Sequence, residues 1–320
     1  MREIGGYIEL DRYTMPMLHE GAVALNCGRN ALAYLLRAKK IKRIKIPKFL
    51  CDSVALVCKR ERVETALYSV GTDLLPRDVE LEGDEWLYLV NFYGQMDNKT
   101  VKAFKEKYGR VIVDNVQAYF QSPVAGVDTL YTCRKFFGVA DGAFLYTDAC
   151  LEGELERDVS YDRMRFLLGR FERTASEFYG EYAANNDMFE HEPIKKMSAL
   201  TDNLLRGINY GLVKRKRTEN FCTLHEAFSS VNKLNLDVPD GAFAYPLYVD
   251  GGAEIRRKLQ EKKIYIPTLW PDVFDICGED ELEYDMAKNI LPLPCDQRYE
   301  KDDMEYLIGE VGLWAFPKRF

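Results

Sequence analysis

The chain has 320 residues and a mass of 37.0 kDa, with 47% hydrophobic residues and a formal net charge of -7 from 44 basic and 51 acidic side chains. A chain this long and apolar can bury a large core, which excludes a disordered polypeptide, and its acidic balance argues against a general nucleic-acid binder. No run of about 18 apolar residues is present to span a membrane, and the opening MREIGGYIELDRY lacks a secretory leader's apolar core, so the expected compartment is the cytoplasm.

The first half alternates short apolar runs with amphipathic stretches. Asn30–Lys40 reads as a helix, RIKIP as a strand closed by Pro47, Asp52–Arg60 as a helix and Thr65–Ser69 as a strand. Trp86–Tyr93 has little polar alternation, the mark of a strand covered on both faces; Val101–Tyr108 is helical in pattern, and VIVD at 111–114 is a short buried strand. Further strands are expected at 127–132 and 143–147. Strands separated by helices of this length imply a mainly parallel sheet between helical layers. Beyond Leu151 the pattern lengthens: Asp162–Tyr182 and Ser198–Ser229 read as long charged helices, the second carrying KRKR at 214–217 as a solvated face. Strands are expected again at Phe243–Val249 and Ile264–Leu269 around a helical Ala253–Lys262, with a last helix at Asp302–Val311. The division this implies is a large domain over 1–195 and a smaller α+β domain over 196–320, the boundary falling within 150–235.

Eight dispersed cysteines without a Cys-x-x-Cys, and three histidines outside any cluster, read as reduced thiols and no metal centre. Four other segments could carry chemistry. Asn26-Cys27-Gly28-Arg29-Asn30 stands before an apolar helical run, where free N–H groups can hold a phosphate, although an ordinary helix start has the same look. Asp114 closes the VIVD strand, three residues before Gln117. Ligands of open α/β sheets bind at such strand ends, yet an acid there is also a common cap. Lys135 lies among aromatics in YTCRKFFG; a lysine with a lowered pKa can form a Schiff base, and Arg134 beside it would help lower it. Asn91-Phe92-Tyr93-Gly94-Gln95 is a turn at another strand end. No Gly-x-Gly-x-x-Gly follows the first strand, which argues against a nicotinamide site.

In order and spacing these segments resemble the DegT/DnrJ/EryC1/StrS family of sugar aminotransferases, which have the type I pyridoxal-phosphate fold. The family's phosphate-binding helix start matches Asn26 to Leu32, its proline and aromatic stretch matches Pro47 to Cys51, and its LYGQ-like turn matches Phe92 to Gln95. Its VIEDAAQA matches Val111 to Ala118, and its lysine segment matches Tyr131 to Gly138. Met197 to Leu200 and Ile290 to Pro294 match later segments, so the resemblance spans residues 20–315.

The resemblance implies a seven-stranded-type, mainly parallel sheet and pyridoxal 5'-phosphate bound through Lys135. Asp114 would stand at the ring nitrogen and Gln117 at the ring or its 3-oxygen. Gly28, Arg29, Asn30 and Thr132 would lie around the phosphate, with Cys51 or Phe49 where an aromatic normally stacks on the ring. It further implies a homodimer with shared active sites, acting on a small-molecule amino donor, glutamate, and a keto acceptor, a nucleotide-linked sugar. Lys195, Lys196 and Lys214–Arg217 would then be candidates for a diphosphate. The sequence departs from the family at Arg29 (a threonine there), at Cys51, at Thr132 and Cys133 (a serine), at Lys195-Lys196 (an asparagine), and at Ala140-Asp141-Gly142-Ala143 (Gly-Glu-Gly-Gly). These departures leave two alternatives: a pyridoxal-phosphate enzyme acting on a small keto or amino acid, and a catalytically inactive relative used for binding or regulation.

Overall fold

Apolar runs without polar alternation need cover on both faces, and the chain supplies it by interleaving strands with helices. In the computed structural model, which describes residues 4–315, the first half runs β1 (Val23–Leu25), α1 (Gly28–Ala38), β2 (Arg43–Pro47), α2 (Asp52–Arg60) and β3 (Glu64–Val70). It continues through β4 (Pro76–Arg77), β5 (Trp86–Val90), α3 (Asn98–Tyr108), β6 (Val111–Asp114), β7 (Asp128–Thr132) and β8 (Ala143–Tyr146). These strands form one eight-stranded sheet in the order β1-β8-β7-β6-β5-β2-β3-β4. Leu87 and Leu89 of β5 and Val111 and Ile112 of β6 are fully shielded, each worth about 1.5–3 kcal/mol of burial, and so these strands hold the centre.

The pairing decides where a site can form. β3, β2, β5, β6 and β7 are mutually parallel. β8 runs against both β7 and β1, so β1 points the same way as β7. The residues that follow β1, β2, β5, β6 and β7 therefore emerge at one edge of the sheet, the edge at which open α/β sheets take ligands. Asn26–Asn30, Phe49–Cys51, Phe92–Gln95, Asp114–Gln117 and Arg134–Lys135 all belong to those segments.

The second half contains α4 (Arg165–Glu172), α5 (Tyr179–Met188), α6 (Ala199–Leu205), α7 (Tyr210–Phe228), β9 (Tyr245–Tyr248) and α8 (Gly252–Glu261). It ends with α9 (Val273–Ile276), α10 (Leu282–Asn289), β10 (Ile290–Leu293) and α11 (Lys301–Ala315). β9 and β10 pair antiparallel as a separate two-stranded sheet, and α11 packs on α7 and α8. No helix among the described residues is long and apolar enough to cross a membrane. All eight cysteines are free thiols.

Three expectations change here. Ile264–Leu269 is not a strand; Pro267 takes a ladder donor from it, and the partner of β9 is Ile290–Leu293 instead. Pro292 there faces Pro246, a pairing tolerated because both strands of a two-stranded sheet are edges. The helical stretch 198–229 is broken between α6 and α7, where the Asn209 Oδ1 accepts from the Leu212 N–H at 3.0 Å and starts a second helix. The stretch 162–182 breaks at Arg173, whose backbone leaves the helical region (φ -135°, ψ -129°).

Candidate active site

Asp114 ends β6 in register with Val90 and Leu130 and is 4% exposed. Its Oδ2 accepts from the Tyr88 hydroxyl at 2.7 Å and its Oδ1 from the Val116 N–H at 2.9 Å. Burial pushes the carboxyl's pKa up, while the charge of Lys135 and these two hydrogen bonds oppose the rise. A buried carboxylate with no directly bonded cation is a ready partner for a protonated ring nitrogen.

Three residues on, Gln117 is held by the turn after β5. Tyr93 takes a left-handed backbone (φ 54°, ψ 16°) and donates its N–H to the Gln117 Oε1 at 2.8 Å. Such a conformation is strained for a non-glycine residue, and Gly94 continues it at φ 75° with the Pro239 Cβ only 3.0 Å from where a Cβ would stand. The strain has a consequence: with its carbonyl committed, the Gln117 amide nitrogen has no protein acceptor among the described residues and remains a donor for a ligand.

Lys135 stands in the tight turn after β7, where the Cys133 carbonyl accepts from the N–H groups of Phe136 and Phe137 at 3.0 and 2.9 Å. Its side chain is reached by solvent, and its amine lies 5.5 Å from the centre of the Phe243 ring. The protein packed round the amine still displaces enough water to lower its pKa. Asp114 and Cys51 oppose this, and Arg134 and Arg29 add to it. Asp114, Cys51, Arg29 and Arg134 thus all act on one lysine.

The mouth of α1 completes the group. Cys27 caps the helix, its Sγ accepting from the Asn30 N–H at 3.4 Å, and Gly28 lies against Val116. The Asn30 side chain is taken up internally: its amide donates to the Pro193 and Glu192 carbonyls at 2.8 and 3.2 Å, and its oxygen accepts from Arg60 at 2.9 Å. Arg29 donates one Nη to the Asn186 carbonyl at 3.0 Å, and Arg134 donates weakly to the Asn186 Oδ1 at 3.4 Å, its guanidinium 4.6 Å from the Phe189 ring centre. The Nε of Arg29 and the Nε of Arg134 are both buried without a partner. Two orphaned arginine donors beside a helix N-terminus make a place for a phosphate-sized anion.

No protein-family model matches the sequence, and no curated protein matches it either. Solved structures do match. DesV of S. venezuelae, solved in complex with a ketimine intermediate, superposes with a TM-score of 0.64 at 15% identity over 93% of this chain and 85% of its own. A DegT DnrJ EryC1 StrS aminotransferase from Brucella abortus gives 0.59 at 15% identity over 92% and 87%. The putative sugar aminotransferase Spr1654 from Streptococcus pneumoniae gives 0.64 at 12% identity over 94% and 90%. This chain has the aminotransferase fold.

Within that fold the structure distinguishes residues that the sequence leaves level. Phe49 is wholly buried against Trp270 and Phe92, with ring centres 4.4 and 5.4 Å away, whereas Cys51 caps α2 and acts on Lys135. Thr132 closes β7 opposite Ala143 and is buried. Cys133 belongs to an aromatic core with Tyr119 and Phe144. Asp141 accepts from the Ser198 N–H and hydroxyl at 2.8 and 2.7 Å and from the Thr201 hydroxyl, docking α6 onto the Lys135 loop.

The candidate diphosphate cations are already engaged. Lys195 pairs with Glu192 at 2.7 Å, Lys196 with Glu154 at 3.4 Å, Lys214 with Asp240, Arg215 with Glu219 at 3.9 Å and Lys216 with Glu300. Lys196 lines a surface groove of about 430 Å³, but Glu154 and Glu156 line it too. KRKR is also not one solvated face, because Arg217 is 2% exposed.

Sequence reading missed Asn186, Phe243 and Tyr88, and took Arg134 only as a neighbour of the lysine. A tyrosine in a strand covered on both faces must find a partner for its hydroxyl, which was a usable signal for Tyr88. Nothing local in the sequence marks Asn186 or Phe243.

Proposed function

We propose that this protein binds pyridoxal 5'-phosphate and transfers an amino group from an amino acid, glutamate, to a keto sugar, working as a homodimer with shared sites. The observation that carries the proposal is the convergence at one sheet edge of Lys135, Asp114 and two arginines with unspent Nε–H donors. The fit to the cofactor follows group by group: Arg29, Arg134 and the first turn of α1 would hold the phosphate, Asp114 the ring nitrogen, and the Gln117 amide the 3-oxygen. Cys51 leaves the ring face without the usual aromatic. When bound, the cofactor supplies an electron sink for negative charge next to the reacting amine. Lys135 would anchor its aldehyde and, with its pKa lowered by the protein packed round the amine, is suited to take and return a proton. Forms of Spr1654 carrying the phosphorylated cofactor and its aminated counterpart have been solved, in line with this reading.

The sugar acceptor is proposed from neighbours described as sugar aminotransferases. A small keto acid is the second reading, favoured by the ion pairing of every exposed cation considered for a diphosphate. The homodimer is proposed from the family resemblance, and exposed apolar side chains such as Phe171, Leu168 and Tyr179 offer surface for it.

Titration with pyridoxal 5'-phosphate should produce a visible absorption band that Lys135→Ala lacks. L-glutamate should then bleach the band as 2-oxoglutarate appears, and keto sugars, free and nucleotide-linked, should restore it. A band in both proteins or in neither would overturn the proposal.

A further inference from the structure

Arg217 is a charged motif residue that the proposed chemistry leaves unused. It is fully buried and forms no ion pair among the described residues. Instead its guanidinium is spent on backbone and amide oxygens: Nη1 donates to the Ala242 carbonyl at 2.8 Å, Nη2 to the Phe136 carbonyl at 3.2 Å, and Nε to the Gln297 Oε1 at 2.6 Å. Gln297 in turn donates its Nε2 to the same Phe136 carbonyl at 2.7 Å, and the guanidinium carbon lies 4.6 Å from the Phe136 ring centre. Burial pulls the Arg217 pKa down to about 10, the mark of a cation kept away from water without a counter-charge at contact.

The two backbone oxygens are not arbitrary. Phe136 directly follows Lys135, and Ala242 directly precedes Phe243, the ring over which the Lys135 amine sits. One planar fork therefore ties together the two segments between which that amine is placed. The donors come from α7 and from the segment after β10, well removed in sequence from the loop they hold.

We propose that Arg217 and Gln297 are positioning residues that fix the Lys135 amine in its site, coupling the C-terminal elements to the nucleophile. This inference rests on the reading of Lys135 as the reacting amine. The groups acting on that amine are Asp114 from β6, Cys51 before α2, Arg29 of α1 and the neighbouring Arg134. A loop that loosens moves the amine away from these groups and from the Phe243 ring.

The test needs no cofactor. In the apoprotein, competitive acetylation of lysines across pH, read by mass spectrometry on the Lys135 peptide, reports that amine's own titration. Arg217→Lys keeps the charge but loses the fork, and Gln297→Leu removes one donor while leaving the arginine's backbone bonds available. Each should slow Lys135 labelling at neutral pH about tenfold as its titration moves toward that of an ordinary lysine, with little change at the other lysines. Arg217→Met should do the same, or fail to fold, so the milder pair decides. If Arg217→Lys and Gln297→Leu fold and leave the Lys135 profile at wild type, the clamp is structural only and the proposal falls. Absence of cofactor binding would sink the aminotransferase reading separately, since this profile does not depend on it.

Discussion

Two arginine-bearing regions look alike in the sequence and behave oppositely in the fold. At the mouth of α1 and the turn after β7, Arg29 and Arg134 each keep a buried Nε–H without an acceptor. On α7, Lys214, Arg215 and Lys216 are paired with carboxylates, and Arg217 spends its donors on backbone and amide oxygens. Local charge density does not tell the two apart; unspent donors do. A buried donor without a partner costs roughly 1–3 kcal/mol, so two such arginine donors at one sheet edge suit a ligand, whereas the cations of KRKR on α7 have their partners within the protein.

The largest effect expected from this contrast is on cofactor affinity. The double variant Arg29→Gln/Arg134→Gln should weaken pyridoxal 5'-phosphate binding by about 10²–10⁴-fold, taking ~1.5–3 kcal/mol for each charge-assisted contact. Binding of unphosphorylated pyridoxal should change far less, and equal losses for both ligands in a spectroscopic titration would break the assignment.

A smaller effect of opposite sign is expected at Asp114. Its folded pKa is raised, so the protonated form is the one the fold prefers. That contribution is fully present below the unfolded value of 3.8 and is lost as pH rises through the folded pKa. Asp114→Asn should therefore leave apoprotein melting at neutral pH equal to or above wild type, with the gap closing as pH falls toward 3.8, while the glutamate response disappears. Melting scans across pH check the first part; a variant markedly less stable at neutral pH would count against it.

The smallest change is expected on α7. Lys214→Gln/Lys216→Gln removes two surface pairs and should shift stability by less than about 1 kcal/mol and cofactor affinity by less than about twofold. A large loss of turnover only with nucleotide-linked acceptors would return these cations to the substrate site.

Much of the site was legible because its residues lie next to strand ends, and strands are the most local of signals. VIVD carries its acid in its last position, and the lysine follows the next apolar run, so periodicity and order put Asp114 and Lys135 at strand ends, while their proposed roles came from the family resemblance. The phosphate end was only half legible: Arg29 stood out at a helix start, but the empty donor of Arg134 depends on Asn186 and Phe189, more than 50 residues away. Phe49 and Cys51 could not be ranked from sequence, since what separates them is contact with Trp270.

The alternation of apolar runs and amphipathic helices by itself determined a mainly parallel sheet, and with it the edge where chemistry could occur, because strand direction and right-handed crossovers leave few other solutions. Tertiary structure alone decided which cations are free. Whether a guanidinium is spent is settled by partners brought from distant elements, as Gln297 and Ala242 are brought to Arg217. It also decided the strand partner of β9, since pairing of two edge strands is a long-range contact that no local pattern encodes.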